Sequence, residues 1–341
     1  MMTPPKFPDG LPSRCLLVTG PGKVELGETR IPRPREGEVL IRALRTCISP
    51  GTEARVLAGK EPAAPPCPLI PGYAMVGEVV ECGSEEPRFA PGTRVFCTGT
   101  KRAAHNLWWG GHCEYAVAAI NEVVLIPENL DSLQASIAKL MAIAYHGLRL
   151  SRPSPHETVF VVGLGPIGRL SAALHAATGA RVVAADLHPA RRKAARAAGL
   201  ETVDPGDDLA AAFASVAPGG ADIVVEATGV PSVFTACARL LRRLPWDDQP
   251  HAGARLVVQA TYAENPALPY WDLFDTEATV LVPRDCQLRD LAAVLKLMAR
   301  GTIDTSGMVG DAGSPSGAAR VYAAVRAGEG PFVTSAFDWQ A

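Results

Sequence analysis

Several classes of protein are excluded by what the sequence lacks. No apolar run approaches the ~18–20 consecutive residues that a transmembrane helix needs. Residues 1–17 have neither the basic start nor the long apolar stretch of a signal peptide. The formal net charge is only −2, so the chain has no general attraction for nucleic acid or for an anionic membrane. These absences predict a cytoplasmic protein that binds neither nucleic acid nor membrane.

The eight cysteines also lack an arrangement that points to a special role. None of them forms a CxxC pair, the spacing typical of zinc ribbons and of redox-active motifs. A chain of 341 residues buries enough apolar surface to fold as two domains without disulfide cross-links. We therefore expect free thiols in a reducing cytoplasm and a globular protein, with an enzyme as the main hypothesis.

The two halves of the chain differ in their periodicity. Residues 14–126 contain short runs rich in β-branched residues, such as "EVLIRAL" and "RVFCTG", separated by Gly- and Pro-rich turns, which predicts a small irregular β-barrel. From residue 157 onward, apolar strands such as "ETVFVV" and "ARVVAAD" alternate with helical segments. Such alternation predicts a doubly wound parallel sheet, so the fold class is α/β.

A glycine-rich motif follows the first strand of this second half. Gly163, Gly165 and Gly168 form GxGxxG, and Pro166 and Ile167 open the helix that the motif precedes. The first glycine permits a tight turn, the second lets a pyrophosphate approach the backbone, and the third lets helix and strand pack closely. The helix N-terminus supplies N–H groups for phosphates. The motif predicts a dinucleotide-binding site.

Asp186 narrows the choice of dinucleotide. It ends the second strand, where a carboxylate would hydrogen-bond both ribose hydroxyls of the adenosine and repel a 2′-phosphate. NAD(H) is therefore favoured over NADP(H), although Arg191 and Arg192 lie nearby and weaken that inference. An alternative role for Asp186 is to cap the helix that begins at Pro189.

Two further residues are predicted to contact the cofactor. Ala227 and Thr228 follow the strand in "ADIVVEAT". Open α/β sheets hold ligands beyond the carboxyl ends of their strands. With the glycine motif and Asp186, these residues make NAD the predicted cofactor.

Six stretches of the chain are similar to those of a known superfamily: "REGEVLIRAL", "PLIPGYAMVGEVVECGS", "FAPGTRVF", "GGHCEYAV", "GLGPIG" and "VVEATG". They resemble the medium-chain dehydrogenase/reductase superfamily, and "ISPGTE" and "FDWQA" further resemble its branch that contains bacteriochlorophyllide dehydrogenase. The resemblance implies a GroES-like catalytic domain at residues 1–150, completed by residues 287–341, and a Rossmann NAD-binding domain at residues 151–286. It also implies a homodimer formed through the edge of the Rossmann sheet.

The residues that hold zinc in other members of the superfamily are replaced here. Those members bind the catalytic metal through a Cys, a His or Glu, and a third Cys or acid. The resemblance places Ser49 or Pro50 at the first position, Tyr73 followed by Ala74 at the second, and Lys139 near the third. Serine, tyrosine and an ammonium do not make a zinc site at neutral pH. We therefore expect no catalytic metal, and we expect Ser49 to contact the substrate.

A phenol and an ammonium could replace the metal by proton transfer. Lys139 beside Tyr73 would lower the pKa of the phenol and favour phenolate, as in the Tyr/Lys pair of short-chain dehydrogenases. The alternative is that Tyr73 only fills the vacated metal site while Lys139 pairs with Glu53. Thr52 and Glu53 match the family's "TD" pair, which implies that Thr52 relays a proton from the substrate oxygen or from the nicotinamide ribose.

The remaining site hypotheses concern the substrate. Trp108 and Trp109 lie in a loop that overhangs the substrate cleft in this fold, which would suit a bulky, flat or apolar substrate, but a domain or dimer contact is an alternative. His146 could reach the nicotinamide side of the cleft. The flanking His105 and His112 are interpreted as surface or hydrogen-bonding residues.

These residues predict an NAD(H)-dependent alcohol dehydrogenase or ketoreductase. Its small-molecule substrate would be a secondary alcohol of a biosynthetic metabolite, such as a tetrapyrrole, a cyclitol or a sugar-like compound. One alternative is a zinc-free C=C reductase of the enoyl or quinone type, against which Asp186 counts because those enzymes generally use NADPH. Another alternative is a catalytically silent NAD-binding sensor.

Overall fold

The computed structural model describes residues 10–61, 63–247, 249, 251–327 and 333–341, so most of the segment for which no signal peptide is predicted lies outside the described residues. The chain divides into two compact units, the first formed by Met1–Lys139 with Leu291–Ala341 and the second by Leu140–Asp290. The sequence places the domain boundaries at 150 and 286 instead. The difference arises because the helix that contains residues 140–151 binds Asp290 and Gln259 of the second unit. The functional division stays a prediction.

Strands within the described residues are numbered in chain order. They are β1 Leu11–Gly20, β2 Lys23–Ile31, β3 Glu38–Cys47, β4 Leu69–Ile70, β5 Met75–Cys82, β6 Arg94–Cys97, β7 Asn106–Leu107, β8 Tyr115–Ala119, β9 Val124–Leu125, β10 Thr158–Val162, β11 Arg181–Ala185, β12 Glu201–Val203, β13 Ile223–Glu226, β14 Arg255–Val258, β15 Thr279–Leu281, β16 Val309–Asp311 and β17 Thr334–Asp338.

Helices within the described residues are numbered in the same way. They are α1 Pro50–Leu57, α2 Ser132–Ser136, α3 Ala138–Ser151, α4 Pro166–Ala176, α5 Pro189–Ala197, α6 Leu209–Ala214, α7 Pro231–Ala238, α8 Tyr270–Phe274, α9 Leu288–Ala299 and α10 Ala318–Ala327. Short 3₁₀ turns lie at Pro87–Phe89, Ile120–Glu122 and Pro315–Gly317. No helix in the described parts of the chain is both long and apolar enough to cross a membrane.

The first unit is built from two sheets, as its runs of β-branched residues predict. One sheet has the strand order β2-β1-β4-β7, and the other has the order β16-β17-β3-β5-β6-β9, with β8 also paired to β3. Val39, Ile41 and Ala43 alternate along β3 into the apolar core, which is the period-2 pattern of a half-buried strand. The C-terminal strand β17 pairs antiparallel with β3, so the end of the chain completes this unit.

The second unit contains the predicted doubly wound sheet. Its six strands are all parallel in the order β12-β11-β10-β13-β14-β15. The chain winds outward from β10 first in one direction and then, from β13, in the other. The carboxyl ends of β10 and β13 therefore flank the point at which sheets of this type bind dinucleotides.

Candidate active site

The turn after β10 has the shape that a bound pyrophosphate requires. Gly163 has φ +94°, and a Cβ atom on Gly168 would lie 1.8 Å from the Gly163 carbonyl oxygen, so both positions require glycine. A Cβ atom on Gly165 would meet no atom within 4 Å. Gly165 is also the N-cap of α4 and offers no side chain to cap it. The backbone at Gly165 and at the following residues, Pro166 and Ile167, is therefore open to an anionic ligand.

Asp186 fixes this turn to the end of β11. One carboxylate oxygen accepts the Leu164 N–H at 2.7 Å, and the other accepts the His188 N–H at 2.8 Å. The N-cap of α5 is His188 rather than Asp186, so the alternative role as a helix cap is wrong, because Asp186 lies two residues too early. Arg191 Nη1 lies 3.3 Å from the carboxylate. Arg192 instead donates to the Asp186 carbonyl oxygen at 2.6 Å.

The loop after β13 is organised by a residue that was not predicted. Glu226 is fully buried and accepts the N–H of Thr228 at 2.6 Å, the N–H of Gly229 at 3.2 Å, and the hydroxyls of Thr228 and Tyr262. The Ala227 N–H donates to the Val162 carbonyl oxygen at 2.9 Å. Glu226 thereby holds Ala227 and Thr228 at the carboxyl edge of the sheet. A carboxylate within the otherwise apolar run "IVVEA" was the signal that could have identified it.

His146 is hydrogen-bonded to Asp290 within the second unit. Its Nδ1 lies 2.8 Å from Asp290 Oδ2, and Arg149 Nε binds the other oxygen of the same carboxylate at 2.7 Å. Burial alone would raise the pKa of Asp290, but hydrogen bonds from Arg149, Gln287 and His146 lower it overall. The predicted role of His146 at the nicotinamide stays a prediction.

Three hydroxyl groups converge in the first unit. Tyr73 precedes β5, and its Oη is directly hydrogen-bonded to Ser49 Oγ and lies 3.5 Å from Thr52 Oγ1. Ser49 and Tyr73 are buried, and Thr52 is half-buried. The structure thus brings together three of the predicted residues, which lie 21 and 24 positions apart in the sequence. We refer to Ser49, Thr52 and Tyr73 as the hydroxyl cluster.

Lys139 lies beside the hydroxyl cluster, but it does not make the phenol acidic. Its Nζ is 5.9 Å from the centroid of the Tyr73 ring. Burial of the phenol raises the pKa of Tyr73 overall, against the lowering effects of the Ser49 and Thr52 hydrogen bonds and of the Lys139 charge; the nearby Glu53 charge raises it further. The expectation of a lowered pKa is therefore wrong for this chain, because removing the phenolate from water costs more than these groups return.

Glu53 is buried behind the hydroxyl cluster. Its carboxylate accepts the Ser49 N–H at 2.6 Å, lies 3.0 Å from His112 Nε2 and accepts the Tyr322 hydroxyl. His112 was interpreted as a surface or hydrogen-bonding residue, and the second alternative is confirmed, because the ring is fully buried and hydrogen-bonded to Glu53 and Thr46. The preceding glycines were the available signal: a Cβ atom on Gly111 would lie 2.6 Å from the Gly72 carbonyl carbon, so this loop packs closely. His105 does form a hydrogen bond, with Thr29 at 3.1 Å.

The tryptophan loop forms a wall of the hydroxyl cluster. The Trp109 ring lies edge-on to Tyr73 with centroids 5.0 Å apart, and Trp108 lies 4.5 Å from Trp109. Trp109 is 40% exposed and has φ +65°, an uncommon conformation for a bulky residue. Hydrogen bonds from Trp108 N–H to Ile70 and from Gly111 N–H to Gly72 hold the loop in place. Trp109 therefore presents a fixed apolar surface next to Tyr73.

The residues at this position do not fit a zinc ion. Within the described ranges, no group of three or more His, Cys, Asp or Glu side chains is arranged to hold a metal. Cys47 lies two residues before Ser49, and its Sγ donates to the Ile48 carbonyl oxygen. A serine hydroxyl, a phenol and an ammonium are not the thiolate, imidazole and carboxylate ligands that zinc prefers.

Comparisons with known proteins agree with this architecture. Residues 35–128 match the family model described as alcohol dehydrogenase GroES-like domain, and residues 166–300 match the one described as zinc-binding dehydrogenase. The structure is similar to that of 2R,3R-butanediol dehydrogenase from Bacillus subtilis, with a TM-score of 0.83 and 22% identity, covering 96% of this chain and 99% of that one. These findings confirm the predicted fold of a GroES-like β-barrel domain and a Rossmann domain.

The chain is similar to two curated relatives over most of its length. The chain is 30% identical over 308 residues to D-arabinitol dehydrogenase 1 of Uromyces fabae, which covers 82% of this chain and 84% of that protein. It is 27% identical over 319 residues to 2-desacetyl-2-hydroxyethyl bacteriochlorophyllide A dehydrogenase of Cereibacter sphaeroides, covering 91% and 93% respectively. Similarity to these relatives extends through both units of the chain.

Proposed function

Because the chain belongs to the medium-chain dehydrogenase/reductase superfamily and is an oxidoreductase that acts on alcohols, we propose that it interconverts a secondary alcohol and its ketone with NAD(H) and without a catalytic metal ion. The observation that carries this proposal is the hydroxyl cluster, two members of which, Ser49 and Tyr73, are implied by the resemblance to stand where the zinc-dependent members have metal ligands. Its hydrogen-bonded phenol offers a proton-transfer group in place of a Lewis acid.

The proton step of the proposed reaction belongs to Tyr73. When the alcohol is oxidised, the Tyr73 phenolate accepts the hydroxyl proton as the C–O bond becomes a carbonyl. A bound nicotinamide supplies the hydride acceptor. Ser49 and Thr52 hydroxyls stabilise the phenolate by donating hydrogen bonds, and the Lys139 charge favours it. Since burial raises the pKa of Tyr73, the phenol is protonated at neutral pH and is ready to donate to a ketone.

The proposed cofactor is NAD rather than NADP. Several observations support a dinucleotide site: the glycine positions of the turn, the open backbone at Gly165 and the Glu226-bound loop with Ala227 and Thr228. Asp186 supports NAD because its ionised carboxylate would repel a 2′-phosphate. Arg191 pairs with that carboxylate, which offsets its own attraction for a phosphate.

The preference for NAD can be tested at Asp186. Wild-type enzyme should have a kcat/KM for NAD at least tenfold above that for NADP. Asp186→Ala should lower this ratio by raising the KM for NAD, because both the ribose contact and the repulsion of a 2′-phosphate disappear. A wild-type preference for NADP would reject the assignment.

The substrate is proposed to be a flat or bulky secondary alcohol. The exposed ring of Trp109 supports this, since it offers an apolar surface next to Tyr73. The names of the two relatives describe a polyol dehydrogenase and a dehydrogenase of a hydroxyethyl-bearing tetrapyrrole, so sugar alcohols, cyclitols and tetrapyrrole alcohols are the first classes to assay.

The decisive experiment combines metal analysis with turnover. Protein purified without added metal or chelator should contain far less than one zinc per chain and should reduce NAD in the presence of a secondary alcohol. One zinc per chain together with loss of activity on zinc removal would overturn the metal-free mechanism. Reduction of an enone but not of a ketone would instead indicate a C=C reductase, and cofactor binding without any turnover would indicate a silent sensor.

We further propose a homodimer formed through the edge of the parallel sheet. Strand β15 pairs with β14 and with no other strand in the part of the chain that the structure describes. Before it in the chain lies an exposed apolar surface, which we call the aromatic patch and which consists of the mutually contacting rings of Trp246, Tyr270, Trp271 and Phe274; Val282, just after the strand, is exposed as well. Open strand edges and large apolar patches are features of interfaces, and one β15 can pair with a second copy around a two-fold axis.

The proposed location is the cytoplasm. All eight cysteines are free thiols, three of them fully buried with no solvent exposure in the first unit: Cys15, Cys47 and Cys113. This composition suits a reducing compartment. Localisation of a tagged full-length chain by fractionation would test the proposal.

A further inference from the structure

The N-cap side chain of helix α1 does not cap the helix, and a side chain from the first turn binds the N-cap N–H instead. Ser49 is the N-cap residue, yet its side chain makes no hydrogen bond to the N–H groups of the first turn. An N-cap serine ordinarily accepts one of those N–H groups. Here Ser49 Oγ is hydrogen-bonded to Tyr73 Oη instead. The serine hydroxyl is therefore available to the hydroxyl cluster and not to the helix.

Glu53 supplies the capping contact from within the helix. Its Oε1 accepts the Ser49 N–H at 2.6 Å, from four residues further along the chain. This contact is equivalent to the returning half of a capping box, in which an acidic side chain of the first turn binds the N-cap N–H. Because the Ser49 backbone is tied to Glu53, the orientation of the Ser49 side chain depends on where the Glu53 carboxylate is held.

The Glu53 carboxylate is itself held from two other elements. Its Oε2 lies 3.0 Å from His112 Nε2 and accepts the hydroxyl of Tyr322 in α10. The Trp339 indole N–H donates to Thr46 Oγ1 at 2.8 Å, and that oxygen lies 2.7 Å from His112 Nδ1. Since an indole N–H can only donate, Thr46 accepts it and can direct its own hydrogen to Nδ1. In that arrangement, Nε2 is the nitrogen that can donate to Glu53.

We propose that His112 and Tyr322 are positioning residues, which fix Glu53 and thereby keep the Ser49 hydroxyl on Tyr73. The proposal rests on the proposed role of Tyr73 as the proton-transfer group. A carboxylate that is 1% exposed needs its donors, because burying it without them is costly. If one donor is lost, Glu53 shifts toward water or toward another partner, and Ser49 shifts with it. Neither His112 nor Tyr322 is required to contact the substrate.

A double-mutant cycle between Tyr322 and Ser49 tests this dependence. Tyr322→Phe removes only the hydroxyl oxygen, since the ring can keep its packing against Phe337 at 6.2 Å. We expect a roughly tenfold lower kcat, as for the loss of one hydrogen bond to a charged group, with the KM for NAD unchanged. In a Ser49→Ala background, Tyr322→Phe should cause no further loss, because both variants remove the same contact. Multiplying effects would overturn the proposal.

Substitutions at His112 add a rescue test. His112→Gln keeps an N–H donor for Glu53, whereas His112→Leu keeps only apolar bulk. We expect His112→Gln to retain a several-fold higher kcat than His112→Leu, provided that both variants melt at similar temperatures. Equal kcat values for two equally stable variants would mean that the ring acts only by filling space, and this result would overturn the role of His112.

A measurement that needs no turnover separates this inference from the proposed function. Hydrogen exchange of the Ser49 amide should accelerate roughly tenfold in Tyr322→Phe, because the bond to Glu53 weakens. If Tyr73→Phe keeps full activity while this exchange accelerates, the proposed function fails and the positioning network stands. If the Ser49 amide exchanges at the wild-type rate, the positioning proposal is wrong whatever the activity.

Discussion

The substitution Tyr73→Phe removes one oxygen atom from the centre of the hydroxyl cluster. It deletes the hydrogen bond to Ser49 Oγ and the longer contact to Thr52, while the ring can keep its edge contact with Trp109 at 5.0 Å. If the phenol transfers the substrate proton, kcat should fall by about 10²- to 10⁴-fold, the usual contribution of general acid–base catalysis. The KM for NAD should change less than twofold, since the predicted cofactor-binding residues belong to the other compact unit.

The pH dependence provides a second readout of the same substitution. Burial raises the pKa of Tyr73, so the phenolate fraction grows only as the pH rises into the alkaline range. The rate of alcohol oxidation should therefore increase with pH in the wild-type enzyme. The rate of ketone reduction should stay level through neutral pH, because the phenol is already protonated there. Tyr73→Phe should abolish the alkaline rise.

The cost in stability should be small compared with the loss of activity. The variant leaves the buried Ser49 hydroxyl without Tyr73 as a partner, which costs about 1–2 kcal/mol, or roughly 1–3 °C in melting temperature for a chain of this size. The assay is NADH absorbance at saturating cofactor across pH, together with a thermal melt. Tyr115→Phe in β8, a half-buried tyrosine outside the hydroxyl cluster, is a matched control that should change neither. A Tyr73→Phe enzyme within twofold of wild type at every pH would refute the reasoning.

The structure also predicts the effects of glycine substitutions in the turn after β10, of low pH, and of a substitution in the aromatic patch. Gly165→Ala should fold with less than about 1 kcal/mol of loss yet weaken NADH binding in titration calorimetry, whereas Gly168→Ala, whose Cβ would lie 1.8 Å from a carbonyl oxygen, should lower the melting temperature. Equal effects on folding would contradict this contrast. Burial lowers the pKa of His175 to about 4. The stabilisation that comes from burying the neutral ring should therefore be complete above about pH 6.5, and the free energy of unfolding should fall by about 3 kcal/mol as the pH drops to about 4. Urea unfolding of His175→Gln should not show this fall. Trp271→Glu in the aromatic patch, where the side chain is 70% exposed, should shift the mass by light scattering toward one 35.8 kDa chain; an unchanged dimer would place the interface elsewhere.

Features that depend on neighbours in the chain could be predicted from the sequence. The glycine motif identified the turn after β10 because a positive φ at Gly163 and the close approach at Gly168 leave no room for another residue type. The alternation of apolar strands and helices predicted the parallel sheet, since strands buried on both faces are apolar throughout. The replacement of the usual metal ligands by Ser49, Tyr73 and Lys139 is a prediction that comes from the resemblance alone.

The tertiary structure decided what those residues contact and how they titrate. Glu53 binds His112, 59 residues away, and Tyr322, 269 residues away, and no periodicity in the sequence encodes such a meeting. The direction of the Tyr73 pKa shift was predicted wrongly because it depends on the balance between burial and several partners, and burial is a property of the packed chain. The sequence by itself thus determined the backbone turns and the alternation of strands and helices, because these features are local. Only the tertiary structure determined which polar groups are buried together and bind one another.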